Sequence, residues 1–133
     1  MMDVRAGLYI EATKSTPLVS FDAEAHSLRI SGESYPENAF KFYEPLLLWV
    51  DSYLAELGSE EEVKLELRLS YMNTSSTKCF MMLLEKFDEA YVAGKQVRLI
   101  WYCSPDNESE QECAEEFKED LRLPFDIVLQ DEA

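Results

Sequence analysis

The sequence predicts an α/β fold, a mixed β-sheet with helices packed on it, in the order β-β-β-α-β-α-β-α-β. Three observations carry that reading. Val63, Leu65, Leu67, Leu69 and Tyr71 alternate with Lys64, Glu66, Arg68 and Ser70, the period-two pattern of a strand. Directly after it, Phe80, Leu83, Leu84, Phe87 and Tyr91 fall at helical spacing with one apolar face. Strand and helix patterns then keep alternating to the end of the chain, which implies parallel neighbours joined by right-handed crossovers.

Taken in order, residues 7–12 and 17–21 read as short strands around the turn-forming Thr13, Lys14, Ser15 and Thr16, and can pair antiparallel at one side of the sheet. Residues 26–31 alternate again and stop at Gly32, with 33–37 as a loop and Asn38 as a helix cap. Phe40, Tyr43, Leu47, Val50, Leu54 and Leu57 mark the first long helix, with Gly58 in the place of a left-handed cap. Pro45 conflicts with a straight helix from Asn38, so the helix either begins near Glu44 or bends there. The strand 63–72, a helix over 74–93 closed by Gly94, and a strand over 96–103 follow. The last is apolar on both faces through Val97, Leu99, Trp101 and Ile100, which suits a strand flanked on both sides. After the polar turn 104–107, a third helix over 108–121 would turn Cys113, Phe117 and Leu121 inward, and 124–130 supplies a final strand through Phe125, Ile127 and Leu129. The polar alternation of the fourth strand predicts one sheet face less covered than the other.

The chain has 133 residues, a length that suits one domain over 1–133, burying roughly two thirds of its unfolded surface. Its 12 Lys and Arg against 27 Asp and Glu leave a formal charge of −15. Such a field repels phosphate backbones and anionic headgroups, so neither nucleic acid nor a membrane surface is an expected partner. No apolar run reaches the roughly 20 residues needed to span a bilayer. Met1-Met2-Asp3-Val4-Arg5 lacks the regions of a signal peptide, which makes the cytoplasm the expected location. Cys79, Cys103 and Cys113 have no C-x-x-C spacing and are expected as buried reduced thiols.

Catalytic chemistry is poorly supplied. The only histidine, His26, lies in no motif, and no G-x-S-x-G, Walker or G-x-G-x-x-G string occurs. Asp106-Asn107-Glu108-Ser109-Glu110-Gln111-Glu112 starts like a calcium loop, but Gln111 stands where its glycine belongs and Phe117 where its bidentate acid belongs. Those acids suit a helix start, where they meet the positive end of the dipole.

The remaining candidate is the hydroxyl-rich turn Asn73-Thr74-Ser75-Ser76-Thr77 between the fourth strand and the second helix. Asn73 can cap the helix, with Thr74, Ser75 and Ser76 as ordinary first-turn residues. Alternatively, a hydroxyl held there on rigid structure, beside free backbone N–H groups, is open to a modifying enzyme. Tyr35, Pro36, Glu37 and Asn38 are candidates for a neighbouring interface loop, since a Tyr-Pro turn can present an aromatic anchor.

At these residues the sequence resembles the SiaC family of bacterial biofilm-regulation phosphoproteins, whose fold is similar to STAS domains, the class of the SpoIIAA-like anti-sigma-factor antagonists. The resemblance covers almost the whole chain. It runs through Thr16-Pro17, Gly32-Glu33-Ser34-Tyr35-Pro36-Glu37-Asn38, Tyr71-Met72-Asn73-Thr74-Ser75-Ser76, Glu115-Glu116-Phe117-Lys118-Glu119-Asp120 and Pro124-Phe125. It implies a STAS-like single domain and a non-enzymatic, cofactor-free partner switch. A cognate Ser/Thr protein kinase would phosphorylate Thr74, and a metal-dependent Ser/Thr protein phosphatase would remove the phosphate. The unmodified protein would bind and activate a diguanylate cyclase, with Asn73, Thr74, Ser75 and Ser76 at the contact surface. Against the wider STAS pattern Asp-Ser-x-Gly, this chain has Asn73 for the acid and no glycine after the hydroxyls, which leaves Ser75 as the alternative acceptor. The same fold also admits another output, an antagonist that sequesters an anti-sigma factor.

Overall fold

The computed structural model describes residues 6–131, so the signal-peptide reading of residues 1–5 lies outside the described residues. Nine elements occur in the expected order: β1 (Leu8–Ile10), β2 (Leu18–Asp22), β3 (Ser27–Ser34), α1 (Ala39–Glu56), β4 (Glu62–Met72), α2 (Thr74–Val92), β5 (Gln96–Cys103), α3 (Glu108–Glu119) and β6 (Phe125–Leu129). They build one six-stranded sheet whose spatial order follows the chain, β1 to β6. The pairs β1–β2 and β2–β3 are antiparallel, and β3–β4, β4–β5 and β5–β6 are parallel.

Three successive crossovers step one strand in the same direction. With the usual right-handed sense, they lay all three helices on one face. That face carries the core, in which Leu28, Ile30, Val63, Leu65, Leu67, Leu99 and Trp101 of the strands meet Tyr43, Trp49, Phe80, Phe87 and Phe117 of the helices. Among the described residues no helix covers the opposite face, which carries Arg29, Glu66, Arg68, Arg98 and Tyr102. There Arg98 pairs with Asp126 at 3.2 Å, and the Arg68 guanidinium sits 5.7 Å from the Tyr102 ring centre. The unequal covering read from β4 is therefore present.

Each helix begins at an asparagine whose side-chain oxygen accepts from the N–H three residues on: Asn38 from Lys41 N, Asn73 from Ser76 N and Asn107 from Glu110 N. The acids ahead of α3 do sit at a helix start, with Glu108 and Glu110 in its first turn. Gly94, at φ +104, closes α2 in the left-handed region.

Several expectations need correction. Helix α1 begins at Ala39 and runs through Pro45. Pro45 and Lys41 both lie on the exposed side, so the Lys41 carbonyl that loses its helical donor faces water. Gly58 is not a left-handed cap, since the chain leaves α1 through extended Leu57. The Leu54 carbonyl instead accepts from Leu57 N–H and from the Lys95 ammonium. β3 does not stop at Gly32 but continues to Ser34. Gly32 holds φ +128, and a Cβ there would lie 3.3 Å from the Pro17 Cα, so glycine carries the strand through this step. Phe40 and Tyr91, read as part of the apolar faces of their helices, are exposed. Leu121 lies past the end of α3 yet still packs on the core.

A candidate modification and partner-binding site

At the C-terminal ends of β3 and β4 the strand register slips. Gly32 opposes Leu69, but the next residue, Glu33, opposes Tyr71, leaving Ser70 unmatched. The extra residue is a β-bulge, and it reverses which side chains face the core. Met72 turns inward, and Tyr71, expected in the buried row, is 53 % exposed. Tyr71 meets Tyr35 edge-on with ring centres 6.0 Å apart. A period-two count alone misses this, because one inserted residue changes every later side.

Ser34 keeps the inward parity of Leu28 and Ile30 on β3 and lies beneath the start of α2, opposite Met72. Its hydroxyl donates to Ser76 Oγ at 2.8 Å and lies 2.8 Å from the Tyr43 hydroxyl of α1. All three residues are fully buried, and burial pushes the Tyr43 phenol up to about 12. Asn73 N–H donates to the Ser34 carbonyl at 2.9 Å, and Thr77 Oγ1 donates to the Asn73 carbonyl at 3.0 Å. β3, α1 and the first turn of α2 are thus tied together through buried hydroxyls.

This corrects the expectation for Ser76. It belongs to the internal clamp and not to the contact surface, because a helix of 3.6 residues per turn carries positions 74 and 76 to opposite sides. Thr74 and Ser75 are exposed, and neither hydroxyl has a hydrogen-bond partner among the described residues. As the first two helical residues they also present N–H groups with no partner inside the helix. The structure brings Asn73, Thr74 and Ser75 to the same end of the sheet as Tyr35, Pro36, Glu37 and Asn38. Of these, Tyr35 and Pro36 are half-buried, Glu37 is exposed, and Asn38 is occupied in capping α1. Lys78, one turn beyond Thr74, is exposed and makes no ion pair among the described residues. It was not singled out in the sequence, although its i+4 spacing from Thr74 was legible there.

His26 sits at the other end of the sheet, just before β3, in a left-handed turn at φ 52. Its Nδ1 lies 2.5 Å from the Tyr53 hydroxyl and its Nε2 2.9 Å from Glu61. The three thiols offer little nucleophilicity at neutral pH: burial pushes Cys79 upward and raises Cys103 and Cys113 to about 11. No helix of the described residues is long and apolar enough to cross a membrane.

Comparison with known proteins agrees with this architecture. The SiaC family regulatory phosphoprotein profile matches residues 10–130. An uncharacterized protein of Pseudomonas aeruginosa (strain UCBPP-PA14) is 41 % identical over 125 residues, covering 94 % of this chain and 98 % of the relative. The solved structure of SiaC of Pseudomonas aeruginosa superposes with a TM-score of 0.85 at 39 % identity, over 92 % of this chain and 98 % of that one. A chain in the crystal structure of the diguanylate cyclase SiaD in complex with its activator SiaC, from the same organism, gives a TM-score of 0.87 at 41 % identity, over 92 % of this chain and 99 % of that one. With its bulged β4, its capped α2 and its full-length likeness to these proteins, the chain belongs to the SiaC family of regulatory phosphoproteins.

Proposed function

We propose that this chain is a non-enzymatic partner switch that binds and activates a diguanylate cyclase when unmodified, and releases it when Thr74 is phosphorylated. A cognate Ser/Thr kinase adds the phosphate and a metal-dependent Ser/Thr phosphatase removes it, so the pair sets cyclic di-GMP and biofilm formation. Both the kinase and the cyclase consume nucleoside triphosphates, which places the switch in the cytoplasm. The observation that carries the reading is the Thr74 hydroxyl, exposed and unpaired among the described residues, on a helix turn clamped from beneath. The non-enzymatic part rests on distance: the one imidazole is engaged by Tyr53 and Glu61 at the opposite end of the sheet.

Magnitudes decide how the switch acts. Phosphothreonine brings about −1.5 to −2 charges. At a helix N-terminus this stabilises the protein itself by only about 0.3–1 kcal/mol, with a further 0.2–0.5 kcal/mol from a pair to Lys78. A fold of roughly 5–15 kcal/mol is not remodelled by that. Burying the same dianion in an interface without a matching cation costs several kcal/mol, a change of about a hundredfold or more in affinity. Phosphopeptide mapping of protein from its native host should therefore find Thr74 modified. Thr74→Ala should bind the host's diguanylate cyclase as the unmodified protein does, while Thr74→Asp should weaken binding by about tenfold or more. Equal binding by the phosphorylated and unmodified forms would refute the switch.

A further inference from the structure

The far edge of the sheet carries a second surface, independent of Thr74. Among the described residues β6 pairs only with β5, and its ladder is flanked by two bonds, Leu99 N–H to the Pro124 carbonyl and Gln130 N–H to the Cys103 carbonyl. In a parallel pair, alternate residues of one strand bond the neighbour. Positions 124, 126, 128 and 130 therefore face β5, while Ile127 and Leu129 direct their N–H and C=O outward, away from the sheet. Phe125–Leu129 contains no lysine, proline or register shift, so the strand does not itself blunt this edge.

Above the edge, α3 and β6 enclose a groove of about 720 Å³. Ile127 and Leu129 form its floor, and Glu108, Glu112, Glu115 and Glu119 form its wall. Those glutamates recur at three and four residues and so lie on one helix face, where like charges destabilise a helix by about 0.2–0.5 kcal/mol per pair. None of the four has an ion-pair partner among the described residues. Two copies joined through their β6 edges would set two such stripes side by side, which argues against self-association here. A cationic strand is favoured on both counts.

We propose that the β6 edge is a docking site for an extended segment of a partner protein that carries Lys or Arg at alternate positions and adds to the sheet as a seventh strand. Alternate residues of such a strand are about 6.6–6.8 Å apart, and the α3 glutamates step by about 4.5–6 Å along the helix axis. Three successive basic side chains on the helix side would therefore each reach a carboxylate. The backbone bonds to Ile127 and Leu129 supply register, and the charges select the partner.

The test uses the intact protein and a synthetic peptide of about nine residues alternating lysine with valine, followed by backbone NMR and amide exchange. The Ile127 and Leu129 amides should shift and gain protection, equally in the unmodified protein and in Thr74→Asp, so the result is separate from the switch. Glu112→Lys/Glu115→Lys should weaken the peptide by about tenfold or more. Leu129→Pro should abolish binding while leaving the β5–β6 ladder intact, because the lost N–H points outward. A peptide N-methylated at alternate residues should not bind, whether or not the proline variant folds. Binding of the methylated peptide as tightly as the parent, or no protection at Ile127 and Leu129, would overturn the proposal.

Discussion

Ser34, Tyr43 and Ser76 are three polar side chains in a region otherwise lined by Leu69, Cys79 and Phe80, and each is acceptable there only because the others satisfy it. Removing one member leaves a buried hydroxyl short of a partner, which costs about 1–3 kcal/mol. Ser34→Ala and Ser76→Ala should each lower stability by that amount in urea titrations, whereas Thr74→Ala, at an exposed site, should stay within about 0.5 kcal/mol. The same geometry predicts that phosphate maps to Thr74, with Ser75 as the alternative, and never to Ser76. Ser76 was expected at the surface from its place in a hydroxyl-rich string. Its burial follows the phase of α2, since Ser76 lies four residues before Phe80 and seven before Leu83, a spacing that the sequence itself contains.

Helix termini were the most legible elements. Asn38 and Asn73 were assigned as caps from sequence and act as caps, because capping is a local contact between residues three apart. The end of α1 was misread, since its closure comes from Lys95 and Leu57 and its following turn from Glu61. Glu61 accepts from Gly58 N–H and, second, from His26, and these hold its carboxyl below the usual carboxylate range. A depressed folded value means that the carboxylate stabilises the fold above its unfolded value, and that this contribution disappears as pH falls through the carboxylate range. Thermal melts of Glu61→Gln should therefore show a smaller acid-induced loss than wild type, with the difference between the two vanishing at low pH.

On the scale of the whole molecule, one unmatched residue explains which way the end of β4 faces. Deleting Ser70 would remove the bulge and join Leu69 to Tyr71 in ordinary alternation, keeping the pairs Tyr71–Glu33 and Met72–Ser34, so that Tyr71 stays outside, Met72 inside and α2 in register with Ser34. Such a deletion should therefore cost no more than about 1 kcal/mol in a urea titration and leave cyclase binding in place. Ser70→Ala, which keeps the chain length at an exposed position, should be within about 0.5 kcal/mol of wild type in the same urea titration. If the deletion instead abolished cyclase binding, the bulge itself, beyond the side it gives Tyr71, would be part of the partner surface.

Element order, the parallel second half, the unequal covering of the two sheet faces and the exposed candidate threonine were all written into the sequence, because each rests on hydrophobic period or on contacts a few residues long. Where β3 ends, which way Tyr71 faces and that β6 is an open edge beneath a glutamate wall were decided only by the tertiary structure. These depend on register between strands distant in sequence, and a one-residue slip there reverses a face without altering any local pattern.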